Sequence, residues 1–160
     1  MKRIFTLILL ISIVTFSSTP LFGQNSVTPG DNKYELGISN APVYFIGEKE
    51  FAYGLHFHLT RAITNTRFGF GLGYEHIFAE HRHTTIGIVA SYSPVDRLTV
   101  NLAPGVTFEG DHKDELNFAA HLEASYEFEI GNFHFGPAAE IAYDPEDIHL
   151  SLGIHVGIGF

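Results

Sequence analysis

From about residue 33 to the end, apolar positions recur at every second residue in a series of short stretches. The last thirteen residues, IHLSLGIHVGIGF, show the pattern most fully. Ile148, Leu150, Leu152, Ile154, Val156, Ile158 and Phe160 share one face, and His149, Ser151, Gly153, His155, Gly157 and Gly159 share the other. Strict alternation over this length is the period of a β-strand with one apolar face. Phe51, Tyr53, Leu55, Phe57 and Leu59 alternate in the same way with Ala52, Gly54, His56, His58 and Thr60. Phe68, Phe70, Leu72 and Tyr74 alternate with Gly69, Gly71, Gly73 and Glu75. Leu116, Phe118, Leu122, Tyr126 and Phe128 oppose Asn117, His121, Glu123, Ser125 and Glu127.

Punctuation between these stretches predicts eight strands, at about 33–43, 51–63, 68–77, 84–93, 98–109, 115–130, 133–143 and 148–160. Thr64–Arg67, Pro94–Arg97 and Gly131–Asn132 read as tight turns, the last a two-residue hairpin turn whose residues tolerate positive φ. Longer polar connections near 44–50, 80–83, 110–114 and 144–147 alternate with them. Short turns on one side and longer loops on the other, with an even strand number, are the arrangement of a closed antiparallel barrel that crosses a membrane. Pro104 and Pro137 fall inside predicted strands. Each removes a ladder hydrogen bond, so each predicts a bulge or local break, and a bulge would turn the following residues to the other face.

The two faces differ in size as well as polarity. Gly69, Gly71, Gly73, Gly87, Gly105, Gly136, Gly153, Gly157 and Gly159 crowd the less apolar face, while large Phe, Tyr, Leu and Ile side chains hold the other. A soluble sandwich or lipocalin-like barrel would turn the large apolar face inward. The interior of an eight-stranded barrel is narrow enough for side chains to fill it, so a small, polar inside and a large, apolar outside fit lipid. There is no Trp, so any interfacial girdle is built of Phe and Tyr, with Tyr34, Tyr53, Tyr74, Tyr92, Tyr126 and Tyr143 as candidates.

The 160 residues suffice for one domain. Residues 1–23 stand apart: Lys2 and Arg3 precede the apolar run Ile4–Phe16, with a plausible cut after Gly23, which is the pattern of a secretory signal peptide. Residues 24–32 form a short polar leader, and 33–160 the barrel. Removing the signal leaves seven basic against eighteen acidic residues, or −11 with histidines neutral. So acidic a chain lacks the basic patch that nucleic-acid binding needs. The absence of cysteine excludes disulfides and thiolate metal sites. Beyond the signal, no apolar run approaches the roughly 20 residues of a membrane helix.

By strand count, loop asymmetry and the terminal Phe160, residues 33–160 resemble the small eight-stranded outer-membrane β-barrels of Gram-negative bacteria. The resemblance implies an all-β, up-and-down transmembrane barrel in the cell outer membrane. It also implies outer-membrane lipid as surroundings and insertion by the barrel-assembly machinery, which reads the final strand ending in Phe160. The protein is read as a monomer. Such barrels serve as structural anchors, adhesins, enzymes and narrow pores, so the architecture fixes no function.

Six of ten histidines take the inward parity: His56, His58, His121, His134, His149 and His155. So do Glu35, Glu75, Glu109, Glu123, Glu127 and Glu140, with Lys33 the one basic residue on that face, at the rim. Buried carboxylates without a cation are costly. They must be protonated, solvated, paired with imidazolium or bound to metal. Counted from the turns, His56, His58, Glu75, His121, Glu123 and Glu140 lie at similar heights, and imidazole with carboxylate suits zinc, copper or nickel. The competing reading is a polar plug of His–Glu hydrogen bonds with no cofactor.

The loop residues Glu80, His81, His83, Asp111, His112 and Asp114, with Asp144, Glu146 and Asp147, read as solvated, with calcium or magnesium binding the alternative. His149-Leu150-Ser151 is similar to the His-x-Ser pair of the lipid A deacylases. No acidic residue follows Ser151, however, and both side chains take the inward parity. The leading expectation is therefore a non-enzymatic membrane protein with a structural or surface-interaction role. A metal-binding or narrow, porin-like conducting barrel comes second and a lipid hydrolase third.

Overall fold

A computed structural model describes residues 33–79, 83–109, 116–145 and 147–160. The signal and leader segments 1–23 and 24–32 lie outside the described residues, as do Glu80, His81, Asp111, His112, Asp114, Glu146 and the side chain of Glu109. The described chain is all-β. Its segments are β1 (Tyr34–Phe45), β2 (Glu50–Ala62), β3 (Phe68–Phe78), β4 (His83–Val95), β5 (Leu98–Glu109), β6 (Leu116–Tyr126), β7 (Phe128–Ile130), β8 (Phe133–Tyr143) and β9 (Ile148–Gly159). Each pairs antiparallel with its sequence neighbour except β6 with β7, which both pair with β8, and β1 pairs with β9. Segments β6 and β7 meet β8 in one continuous register, Ser125↔Ala138 and then Phe128↔Phe135. They are two parts of one strand, and the result is a closed eight-stranded barrel.

Strand ends move by one or two residues from those expected. Tyr44 and Phe45 belong to β1 rather than to a loop, and Pro94 and Val95 belong to β4, leaving Asp96–Arg97 as the turn. The sixth strand is interrupted at Glu127 instead of running unbroken to Ile130.

The prolines account for the gaps in the wall. A proline has no N–H and so silences one ladder only, on the side its N–H would have faced. Opposite Pro137, the ladder to β6 and β7 lapses between Ser125↔Ala138 and Phe128↔Phe135. At Pro104, the β4–β5 ladder lapses between Gly87↔Gly105 and Ala90↔Leu102. Pro42, near the end of β1, does the same to the β1–β9 ladder between Asn40↔Ile154 and Val43↔Ser151. The other ladder at each site is intact, through Pro42↔Tyr53, Pro104↔Ala120 and Pro137↔Ile154. Register is unchanged across each gap, so no face flips and the inward parity of β5 and β8 stands. The bulge lies elsewhere, between Tyr92 and Val95, where the turn to β5 begins.

The large apolar side chains point outward. Leu72, Ile88 and Leu152 are 63, 65 and 69% exposed, as core residues of a water-soluble protein would not be. Aromatic pairs ring the two ends of this surface. Tyr34–Phe160, Phe68–Tyr92 and Tyr126–Phe128 lie at the turn end, and Tyr44–Phe51 and Tyr53–Phe78 at the loop end. Of the six candidate girdle tyrosines all face outward, and Tyr74 sits mid-wall beside Phe57.

A histidine–glutamate network in the barrel lumen

All six inward histidines are buried, as are Glu75, Glu123, Glu127 and Glu140, and Glu35 is half-buried. No lysine or arginine is buried among the described residues, and Lys33 is exposed. Strand pairing explains how these side chains meet. His56 on β2 is the register partner of Glu75 on β3, and Glu123 on β6 is the partner of Glu140 on β8. Ala142 pairs with His121 on one side and His149 on the other. Its small side chain leaves both imidazoles free to turn toward the axis, where they meet edge to face at 5.7 Å.

These residues form a middle layer. His56 Nδ1 donates to Glu140 Oε2 at 3.0 Å and lies 3.9 Å from Glu123 Oε2. His121 Nδ1 stands 3.4 Å from Glu75 Oε2 and 3.6 Å from Glu140 Oε1, and His149 Nε2 is 3.9 Å from Glu75 Oε1. A second layer lies toward the turns. His58 Nε2 hydrogen-bonds Glu35 Oε1 at 3.1 Å, Ser39 Oγ hydrogen-bonds His155 Nδ1 at 3.0 Å, and His155 Nε2 meets His134 Nε2 at 3.3 Å. The rings of His58, His155 and His134 stack face to face. Glycine makes this possible: a Cβ on Gly37 would overlap the rings of His58 and His155, and one on Gly157 would overlap that of His134. Toward the loops the lumen closes on apolar Val43, Phe45 and Ile77.

Of the proposed ligand set, five residues converge: His56, Glu75, His121, Glu123 and Glu140. His58 does not join them, because its ring turns to Glu35 and His155. His149 does join them, completing a group with Glu75, His121 and Glu140 whose ligand atoms all lie within 4.8 Å of one another. Counting residues from the turns could not find it, since neighbouring strands are staggered by the barrel's shear. Two residues that the sequence places in solvated loops are buried: His83 begins β4, packs 5.5 Å from Phe45 and lies 3.9 Å from the buried Asp144. The apolar cap is not legible in the sequence, whose pattern ends the first strand before Phe45.

Asp147, in the β8–β9 loop, is a latch between loops. Its carboxylate accepts the backbone N–H of Gly47 at 2.7 Å, of Glu48 at 3.3 Å and of Ile148 at 2.6 Å. Slight desolvation pushes its pKa up, but these three donors outweigh it and hold the carboxyl below its ordinary value.

Glu140 is the register partner of Ser151, which places a carboxylate beside the His-x-Ser pair. His149 makes no hydrogen bond to Ser151, however: both its ring nitrogens are buried without a hydrogen-bond partner among the described residues. Voids of about 10 Å³ flank the middle layer, one lined by His56, Glu75 and His121, another by His56, Glu75 and Glu140. Each is about the size of one water molecule.

No protein family's sequence pattern matches the chain, and no curated protein sequence matches it. Solved structures do. Neisserial surface protein A is similar at 10% identity with a TM-score of 0.58, over 79% of this chain and 96% of that one. A de novo designed transmembrane β-barrel is similar at 14% identity with a TM-score of 0.55, over 78% and 95%. The attachment invasion locus protein Ail of Yersinia pestis is similar at 11% identity with a TM-score of 0.51, over 79% and 96%. The fold is that of the small eight-stranded outer-membrane β-barrels.

Proposed function

We propose that the protein is a non-enzymatic integral barrel of the outer membrane with a structural or surface-interaction role, its lumen plugged by the His/Glu network. One observation carries this reading: the polarity is inverted, with large apolar side chains exposed all round the wall and histidine and glutamate buried inside. In water, so much exposed apolar surface would drive association; in hydrocarbon it is the ordinary outer face of a barrel. Export by the segment 1–23 and insertion through the strand ending in Phe160 complete the proposal. The turns then face the periplasm, and the loops, including the Asp147 latch, face outward.

Voids no larger than a water molecule support a plug over a conducting pore. A hydrolase is not favoured, since His149 and Ser151 stand in the lumen, away from the lipid-facing wall. The test is expression of the full chain in a Gram-negative host, with outer-membrane fractionation and heat-modifiable gel mobility, followed by planar-bilayer recording. Recovery in the outer membrane without conductance steps is expected. A water-soluble product, or regular single-channel steps, would overturn the reading.

A further inference from the structure

We propose that the middle of the lumen is a binding site for one divalent transition metal of the zinc class, built by Glu75, His121, Glu140 and His149. The inference goes beyond the membrane role above and holds whatever the barrel does at the surface.

Three independent observations converge here. Four ligand side chains from β3, β6, β8 and β9 bring their donor atoms within 4.8 Å of one another, and all four are buried. Zinc at 2.0–2.2 Å from each of four such atoms needs them about 3.3 Å apart. Glu75 Oε2 and His121 Nδ1, at 3.4 Å, and His121 Nδ1 and Glu140 Oε1, at 3.6 Å, are nearly so. His149 Nε2, 3.9 Å from Glu75 Oε1, must close in by about half an ångström.

The second observation is hydrogen bonding. Buried polar atoms in folded proteins are almost always satisfied, yet both ring nitrogens of His149 have no hydrogen-bond partner among the described residues, and Nδ1 of His121 meets its carboxylates only at 3.4 and 3.6 Å. His149 is 3% exposed, so these atoms are buried away from bulk solvent. A metal supplies what a ring nitrogen without a proton lacks.

The third is charge. Glu75, Glu123 and Glu140 are buried together with no buried lysine or arginine among the described residues. A divalent ion on two carboxylates and two neutral imidazoles leaves that set neutral. Two imidazoles and two carboxylates suit zinc and its neighbours and not calcium, which takes six to eight oxygens. His56 is a positioning residue: its Nδ1 donates to Glu140 Oε2 and leaves Oε1 for the metal.

The experiment uses the mature chain refolded in detergent, with zinc chloride either present during refolding or added afterwards. Bound zinc is measured after desalting, affinity by competition with a chromophoric chelator, and geometry from the visible bands of a cobalt-substituted sample. One zinc per folded barrel and tetrahedral cobalt bands are expected. His149→Gln and Glu75→Gln should each weaken binding ~100-fold or more, and His56→Ala about 10- to 100-fold. His134→Gln, in the other layer, should bind as the parent does. Circular dichroism and gel mobility confirm folding of each variant, and the two ligand variants test the site independently. No stoichiometric zinc in the folded parent, or binding as tight as the parent's in both ligand variants, would overturn the proposal. So would loss in His134→Gln alone, which would move the ion to the other layer. None of these outcomes bears on whether the barrel sits in the outer membrane without conducting.

Discussion

Strand β3 carries three inward glycines at successive inward positions, and the structure demands glycine at one far more than at the others. A Cβ on Gly71 would overlap the carbonyl oxygen of Leu59 and sit 2.7 Å from Cα of Thr60. Both obstacles are backbone in a paired strand and cannot step aside. A Cβ on Gly69 meets its first atom, the Arg61 carbonyl oxygen, at 3.2 Å, and one on Gly73 meets Val89 Cγ2 at 3.1 Å. Those need shifts of only a few tenths of an ångström. Overpacking typically costs about 1–3 kcal/mol, and a backbone obstacle places Gly71→Ala at or beyond the top of that range. Replacing glycine by alanine also removes freedom from the unfolded chain, worth about 0.4–1 kcal/mol, which offsets most of the strain at Gly69 and Gly73.

We therefore expect Gly71→Ala to lose about 3 kcal/mol and Gly69→Ala and Gly73→Ala to stay within ~1 kcal/mol of the parent. With a guanidinium m-value of about 4 kcal/mol/M, the Gly71 midpoint falls by roughly 0.7 M. The assay is reversible guanidinium unfolding in detergent, followed by circular dichroism and by tyrosine emission, since there is no Trp. Midpoints that coincide for all three variants, or a larger loss at Gly69 than at Gly71, would refute the strand geometry on which the expectation rests.

Other expectations follow from the wall, the cap and the latch. Leu152 is 69% exposed, so Leu152→Arg should be harmless in a water-soluble protein. In a bilayer it should cost about 2–4 kcal/mol in lipid-vesicle unfolding, and an unchanged midpoint would count against the membrane reading. Phe45→Ala removes the largest member of the lumen cap and should cost about 3–5 kcal/mol by the same measurement; a loss under ~1 kcal/mol would mean the cap is not packed. Asp147→Asn should lose about 0.5–1 kcal/mol at pH 7, the low figure reflecting a group in contact with solvent. Because the folded carboxyl lies below its unfolded value, the latch contributes fully above about pH 4 and fades as pH falls through the folded value. The parent and the variant should therefore converge in stability as pH is lowered below about 4; a gap that stays constant on acidification would show that the carboxylate charge is not what matters.

Most of the fold was legible because each device that builds it is local. Alternation of Ile148–Phe160 and Phe68–Tyr74 fixes strand and face together, and Gly131–Asn132 fixes a hairpin, with Gly131 indeed at φ 63°. The contents of the lumen were legible for the same reason, since parity alone sends His56, His121, Glu123 and Glu140 inward. Their partnerships were not. Which inward residues share a height depends on stagger between strands, a long-range quantity set when β1 meets β9, so residue counting groups His58 with the cluster and misses His149. His83 and Asp144 were missed for another reason. A loop-end residue has no alternating neighbours to show its face, and burial there depends on Phe45 beneath it.

The three prolines change what the histidine–glutamate network means mechanically. Each relaxes a different seam, β1–β9, β4–β5 or β6–β8, while the other ladders run without a gap. The wall is thus three staves: β1 to β4, β5 with β6 and β7, and β8 with β9. His56 to Glu140 and to Glu123, His121 to Glu75 and to Glu140, His149 to Glu75, His134 to Glu35 and Ser39 to His155 each join one stave to another. What fills the lumen also works as a set of tie rods across it, holding round a hoop whose outer bonding is interrupted in three places.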